Sequence, residues 1–247
     1  MMRFANATDP GRIRTSNQDY YYSDPDGRFF IVADGMGGHA AGATASLLAV
    51  DAVKEKLESS WPSLVAKKAQ PTQLLVDAID AANRSILEDQ RRNPERADMG
   101  TTVVTLMFDP HGNAWSAHIG DSRLYRLRNN TIEQMTEDHT LVSRFIRQGD
   151  LQPEQARTHS LRHVLERCLG RQDTGDAAVQ PIPVRPGDRF LLCSDGLTEE
   201  LNDSQIAEYC SSSNGSEDFT KLPEILIEAA KAHGGRDNIT VVIAEYS

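Results

Sequence analysis

Thr101-Thr-Val-Val-Thr-Leu-Met-Phe108, then Asp-Pro-His-Gly112, then Asn113-Ala-Trp-Ser-Ala-His-Ile119 is the stretch from which the fold class follows. Two runs rich in β-branched and aromatic residues flank four residues of turn chemistry. So short a connection joins antiparallel neighbours, because a parallel pair needs a crossover of a dozen residues or more. Further strands are predicted on either side. Arg28–Ala33 is apolar and stops at Asp-Gly, Arg123–Leu127 alternates charged and apolar residues, and Arg189–Cys193 and Ile239–Glu245 complete the set. Helical periodicity falls in separate blocks. Leu47, Val50, Val53 and Leu57 recur within Thr44–Leu57, and Leu75, Ile79, Ala82 and Ile86 within Pro71–Arg91, with Pro71 suited to a first turn. Leu222–Ala232 runs toward a Gly-Gly stop, and Asp138–Gly170 reads as helical but broken at Gly149 and Pro153. Helices in blocks, not after every strand, predict an α+β fold and exclude a doubly wound parallel sheet.

The chain has 247 residues, with 26 Lys+Arg against 36 Asp+Glu, a formal charge of −10. That length predicts one domain over 1–247, and no internal repeat divides it. The soft stretch Ser211–Asp218 is short enough to be a loop. An acidic surface disfavours nucleic acid and anionic membranes as partners, because like charges repel. No apolar run approaches the ~20 residues that cross a bilayer. The first residues, MMRFANATDPGRIR, lack the apolar centre of a secretion signal. A cytoplasmic monomer is the expectation, and three sparse cysteines (Cys168, Cys193, Cys210) agree with a reducing compartment.

Where the surplus acid sits is more informative. Asp34 ends the run FFIVA and precedes Gly35-Met-Gly-Gly. Asp121 follows AHIG, Asp195 ends RFLLCS, Asp237 directly precedes Asn-ITVVI, and Asp19 follows Ser-Asn-Gln. A single Asp beside a strand end is a common turn. Five in the same setting can converge on one rim of a sheet, where carboxylates without counter-charge would be strongly destabilising. A hard divalent ion, Mg²⁺ or Mn²⁺, removes that conflict, since it takes oxygen ligands and keeps several waters. Gly35 lets a backbone carbonyl come close to the same ion. Paired ions of this kind suit phosphoryl transfer. Arg14, five residues before Asp19, supplies a guanidinium able to grip a phosphate through two N–H groups.

Other chemistries fit less well. Gly35, Gly37 and Gly38 match neither G-x-G-x-x-G nor a P-loop. Gly120-Asp-Ser122 lacks the G-x-S-x-G elbow of a serine esterase. A cysteine phosphatase places Arg six residues after its Cys, whereas Thr174, Glu199 and Ser216 stand at those positions here. Cys193 reads as strand packing, and neither H-E-x-x-H nor C-x-x-C is present for zinc.

The ordered series Arg14-Thr-Ser-Asn-Gln-Asp19, Val32-Ala-Asp-Gly-Met-Gly-Gly-His39, Gly100-Thr-Thr102, Ile119-Gly-Asp-Ser-Arg123, Ser194-Asp-Gly-Leu197 and Gly235-Arg-Asp-Asn238 resembles the metal-dependent type 2C Ser/Thr protein phosphatases, the PPM family. The compact form is similar to bacterial members. Asp138-His-Thr, His163-Val-Leu and Leu192–Leu201 look like small cyanobacterial ones, some of which act on the phosphoserine of the PII nitrogen-signalling protein. The resemblance implies a four-layer α/β/β/α sandwich and hydrolysis of phosphoserine and phosphothreonine in proteins, by a water bridging two Mn²⁺ or Mg²⁺ ions.

It further implies that Asp34 bridges the ions, that Asp195 and Asp237 complete the first, and that the Gly35 carbonyl binds the second. Asp19 then acts through a metal-bound water, Asp121 with Asp195 forms a third, weaker site, and Arg14 holds the substrate phosphate. Two positions depart from the family pattern. Gln18 stands where many members have Glu, removing one carboxylate near the second ion. In animal relatives a proton-donating His follows Asp-Gly directly, whereas here Met36-Gly-Gly intervenes before His39. His39 is the candidate donor to the leaving serine oxygen, the other reading being that it orients the loop entering the Thr44–Leu57 helix. Residues 143–165 correspond to the family's flap beside the active site, where Arg144, Arg147, Arg157, His159 and Arg162 could meet an acidic phosphoprotein. A catalytically silent metal-binding module of the same fold would be marked by loss of the aspartates, and all are present.

Overall fold

Phe29, Ile31 and Ala33 point to one face of their strand and Phe30 and Val32 to the other, and none of the five reaches solvent. A strand with both faces buried must lie between two further layers. The computed structural model, which describes residues 2–38, 40–156, 158–212 and 216–247, shows what those layers are. Its strands are β1 (Arg3–Asp9), β2 (Asp19–Ser23), β3 (Phe29–Met36), β4 (Gly100–Thr101), β5 (Val103–Phe108), β6 (Ala114–Ile119), β7 (Arg123–Arg128), β8 (Thr131–Gln134), β9 (Ala178–Ile182), β10 (Arg189–Cys193) and β11 (Ile239–Glu245). Its helices are α1 (Ala41–Val65), α2 (Pro71–Arg92), α3 (Leu141–Gln148), α4 (Pro153–Ala156), α5 (Asp195–Thr198), α6 (Asp203–Ser212) and α7 (Ser216–His233). His39 and Arg157 lie outside the described residues, as do 213–215 of the expected 211–218 loop.

Sheet 1 has the order β1-β11-β10-β7-β8, and sheet 2 the order β2-β3-β5-β6-β9 with β4 beside β3. Every pairing is antiparallel. Three apolar layers hold the stack together. Phe30, Val32, Val104 and Leu106 of sheet 2 meet Leu124, Phe190, Leu192 and Val242 of sheet 1. The opposite face of sheet 2 packs Phe29, Ile31, Val103 and Met107 against Val50, Val53, Leu57, Ile79 and Ile86 of α1 and α2. The opposite face of sheet 1 packs Leu191, Cys193, Val241 and Ile243 against Leu197, Ile206, Leu222 and Leu226 of α5, α6 and α7. The result is an α/β/β/α sandwich, with sheets packed face to face over interdigitating side chains.

The expected hairpin is β5–β6, in register from Val103↔Ile119 to Phe108↔Ala114. Asp109 organises its turn. One carboxylate oxygen accepts from the N–H groups of His111 and Asn113 (2.8 and 3.0 Å), and the other from Trp115 Nε1 (3.1 Å). The run from Thr101 divides at Thr102. Its N–H donates to the Asp34 carbonyl (2.9 Å) and its Oγ1 accepts from the Asp34 N–H (3.0 Å), so it leaves the ladder to hold Asp34. Cys168, Cys193 and Cys210 are all buried and free, and burial pushes the Cys210 thiol up to about 12.

Residues 141–164 leave the sandwich and return to it. Thr140 and Leu165 form a bridge, the Leu141 N–H donates to the Val164 carbonyl (2.9 Å), and the Glu166 N–H donates to that of His139 (2.7 Å). These bonds form a stem that closes the flap loop. Arg147 ties the stem to Glu137 and Glu166 (2.6 and 2.9 Å).

Beneath the stem the His118 and His139 rings stack at 4.7 Å. His139 Nδ1 accepts from the Gly120 N–H (3.2 Å) and His118 Nε2 meets the Glu137 carbonyl (2.9 Å). Burial, then the neighbouring His118 and Arg167, pull His139 down from 6.5 to about 3. Between those values the unfolded chain binds a proton that the folded chain refuses. Folding stability is therefore expected to fall as pH drops from 6.5 toward 3. Denaturant midpoints measured across that window should show a shallower slope for His139→Gln than for the parent. An unchanged slope would mean that His139 titrates normally in the fold.

Candidate metal centre

The five aspartates come to one rim because both sheets end there. Asp19 and Asp34 are directly paired on β2 and β3, so two carboxylates face each other across neighbouring strands, an unfavourable arrangement for like charges. Asp195 follows β10 and Asp237 precedes β11, and the pairing Cys193↔Val241 brings them to the same end of sheet 1. Asp121 lies where the chain passes from β6 in sheet 2 to β7 in sheet 1.

A cleft of about 960 Å³ opens on this rim, and its walls include Arg14, Asp34, Gly35, Asp121, Asp195 and Asp237. Asp19 stands behind it and borders a smaller groove of about 410 Å³ between β1 and β2.

Burial, followed by repulsion from Asp19, Asp195, Asp121 and Asp237, raises the Asp34 carboxyl well above its usual range. Asp195 is raised likewise, by burial and then by Asp121, Asp237 and Asp19. Burial and then Asp138 push Asp121 up to about 7, while burial pushes Asp19 up to about 6 against hydrogen bonds from Ser194 and Thr240. Asp19 Oδ1 and Asp195 Oδ1 are buried without any hydrogen-bond partner. Buried carboxylate oxygens left in this condition are costly unless a cation meets them.

Among the described residues no three His, Cys, Asp or Glu side chains close into a metal cage. The aspartates and the Gly35 carbonyl offer oxygen donors, which suit hard Mg²⁺ and Mn²⁺ ions that keep several waters, whereas structural zinc favours Cys and His.

The backbone leaves room for little else. A Cβ on Gly35 would sit 2.1 Å from the Gly42 carbonyl oxygen and 2.6 Å from that of Gln18, so only glycine lets β3 pass against α1. Gly120, at φ +103°, turns the chain into Asp121 with Thr102 in the space a Cβ would take. Gln18 donates through Nε2 to the Gly37 carbonyl (3.3 Å), so it serves the loop after Asp34.

Arg14 Nη2 donates to Asp237 Oδ2 (2.7 Å), which raises its own pKa further. Of the flap residues named from sequence, Arg162 lines the cleft, beside Glu199 (3.5 Å), and His163 meets the same carboxylate (3.3 Å). Arg144 lies 3.7 Å from Glu166, and His159 packs edge-on against Phe145.

Several residues that hold the site were not singled out as individuals by sequence reading. Asn238 donates to the Pro10 and Ser16 carbonyls (3.0 and 2.9 Å) and accepts from the Gln18 N–H (2.8 Å), pinning the loop that carries Arg14 and Asp19. Thr102 Oγ1 and Ser122 Oγ lie 2.7 Å apart, joining the supports of Asp34 and Asp121. Their signal lay in the motifs Gly-Arg-Asp-Asn, Gly-Thr-Thr and Gly-Asp-Ser, where the small polar neighbour is as informative as the aspartate.

Comparison with known proteins supplies the context. The family model "Protein phosphatase 2C" matches residues 12–227. The serine/threonine protein phosphatase PstP of Mycobacterium tuberculosis is 36% identical over 254 aligned residues, covering 99% of this chain and 45% of that protein. The chain thus spans about half the length of that relative. The serine/threonine phosphatase stp of Listeria welshimeri is 34% identical over 96% of this chain and 93% of its own length. Among solved structures, the M. tuberculosis phosphatase PstP superposes with a TM-score of 0.86 at 35% identity over 100% of this chain and 99% of that one. The catalytic domain of a serine threonine protein phosphatase PstP in complex with two manganese ions gives 0.85 at 34% identity, over 99% of this chain and 97% of that one.

The repulsion at the rim makes a measurable prediction. In metal-free protein Asp34→Asn removes one of the mutually repelling carboxylates and should raise the melting temperature by about 2–4 °C for each kcal/mol relieved. Added Mn²⁺ should raise the melting temperature of the parent much more than that of the variant. A metal-free variant that melts below the parent would show that the aspartates do not repel as described.

Proposed function

The chain belongs to the protein phosphatase 2C family, and we propose that it hydrolyses phosphoserine and phosphothreonine in proteins. The observation that carries this reading is a rim of buried, mutually repelling carboxylates with orphaned oxygens beside a guanidinium. Asp34, Asp195 and Asp237 would hold one ion, and Asp34 and the Gly35 carbonyl a second, with Asp19 behind them. Asp121 with Asp195 would hold a third, weaker ion. Mn²⁺ is present in a relative's structure, and Mg²⁺ has the same preference for oxygen ligands. When bound, such ions neutralise charge on the phosphoryl oxygens and make water a competent nucleophile near neutral pH.

The chain's own residues do the rest. Arg14 spends one N–H on Asp237 and retains further donors to orient the phosphoryl group at the cleft mouth. Thr102 and Ser122 keep Asp34 and Asp121 in place. Arg162 and His163, braced by Glu199, form the wall that the substrate protein meets. His39 gives its proton to the departing serine oxygen, which is a poor leaving group without one. The working unit is the single domain 1–247, acting as a cytoplasmic monomer on phosphoproteins, with neither nucleic acid nor membrane as partner. A phosphoserine of the PII nitrogen-signalling protein is the substrate the cyanobacterial resemblance favours.

Phosphopeptide hydrolysis is expected to require Mn²⁺ or Mg²⁺ and to stop with chelator; metal-stripped protein at full activity would refute the proposal. Asp34→Ala should abolish turnover, whereas Asp121→Ala should retain the core ions and chiefly lower kcat, read by metal content beside rate. Loss of the core ions from Asp121→Ala would remove the distinction between core and lateral sites. His39→Gln should slow phosphopeptide hydrolysis while sparing p-nitrophenyl phosphate, whose leaving group needs no proton. Equal loss on both substrates would take His39 out of that role.

A further inference from the structure

The two carboxylate oxygens of Asp19 have different surroundings. Oδ2 accepts from Ser194 Oγ–H and from Thr240 Oγ1–H, both at 2.7 Å, whereas Oδ1 is buried with no hydrogen-bond partner. An ionised carboxylate only accepts, so the hydroxyl protons of Ser194 and Thr240 are both spent on Oδ2. Thr240 has no second proton to give. At its 2.7 Å contact with Thr8 Oγ1, Thr8 is therefore the donor. Thr8 Oγ1 in turn accepts from Asn17 Nδ2 (2.7 Å), and Ser194 Oγ accepts from the Thr240 N–H (3.0 Å). Every proton from Asn17 through Thr8 and Thr240 points the same way, toward Asp19.

The row also crosses between the sheets. Asp19 opens β2 in sheet 2, while Thr8, Thr240 and Ser194 lie on or beside β1, β11 and β10 of sheet 1. Thr240 and Ser194 are fully buried, where hydrogen bonds to a charged group are strong and leave little freedom of angle.

We propose that Thr240, Ser194 and Thr8 are positioning residues: they clamp Asp19 Oδ2 to sheet 1, leave Oδ1 as its one oxygen for a divalent cation, and fix the spacing between the carboxylates of the two sheets. This rests on the divalent-cation reading above. Asp19 lies outside the cleft lining, so its contribution depends on being held at a fixed depth behind Asp34. The row supplies that hold without adding another charge to a rim already overloaded with them.

Titration calorimetry with Mn²⁺ alone, well below the melting temperature, provides the test. Thr240→Val keeps the shape and removes the hydroxyl. Its Mn²⁺ affinity should fall by about tenfold or more, in the range seen for outer-shell partners of metal ligands. Thr240→Ser should bind as the parent does, and KM for p-nitrophenyl phosphate at saturating Mn²⁺ should be unchanged in both. Thr8→Val, at the exposed end of the row, should show a smaller loss in the same direction, and it carries the test if Thr240→Val does not fold. A purely structural role would lower the melting temperature and leave the Mn²⁺ affinity alone. A parent that takes up no Mn²⁺ overturns the cation reading and this inference together. A parent that binds Mn²⁺ while Thr240→Val and Ser194→Ala bind equally well overturns the inference alone.

Discussion

Repulsion among carboxylates at a shared sheet rim is the constraint around which this molecule is arranged. Asp34 faces Asp19 across paired strands and feels Asp195, Asp121 and Asp237 as well. Left alone, the cluster opposes folding. It persists because the scaffold beneath it is over-determined: three apolar layers, two sheets buried on both faces, and hydroxyl and amide groups that hold the Asp34 backbone and the Asp19 and Asp237 carboxylates. Stability invested in the sandwich is stored as local strain at the rim, a familiar location for function. Among the described residues the cation paired with the cluster is Arg14, which sits at its exposed edge and relieves Asp237 directly.

That arrangement requires the sheets to meet at a fixed distance. Aromatic side chains set the separation toward the end away from the rim, where Phe108 packs edge-on against both Phe30 and Phe190. At the rim short hydroxyl side chains take their place. The same molecule thus uses apolar volume to space its layers and polar contacts of 2.7 Å to align its charges.

Much of this was legible in the sequence, for identifiable reasons. The β5–β6 hairpin announced antiparallel pairing because its strands are apolar on both faces and its turn residues are unambiguous. Helices α1 and α2 were visible through their buried stripes, although α1 begins earlier and ends later than Thr44–Leu57, since its first turn is buried through the small residues Ala41 and Gly42, which carry no apolar periodicity, and beyond Leu57 only Leu64 is buried. Strands β1, β2, β8 and β9 were not anticipated. Each lies at a sheet edge and is partly exposed, so its composition resembles that of a loop. The four-layer order came from family resemblance, because periodicity shows that a strand is buried without showing what covers it. The aspartates stood out through repetition beside strand ends. The hydroxyls that hold them did not, because an isolated Thr or Ser within a strand has no spacing that distinguishes a support from a surface residue. Asp19 illustrates the limit: its neighbourhood in sequence gave its chemistry, but only the fold sets it behind the cleft.

The stem of the flap has a consequence for how such a protein diversifies. The backbone bonds at Thr140–Leu165 and His139–Glu166 close the loop at its base, so the ends of the excursion are joined whatever lies between them. Lengthening or shortening a loop already closed costs only a logarithmic increment of entropy. Among the described residues, no strand runs through it. The segment can therefore be rewritten by insertion, deletion or recombination while the rim keeps its geometry. New recognition surfaces can be sampled by descendants of this chain without first giving up the chemistry that makes recognition worthwhile.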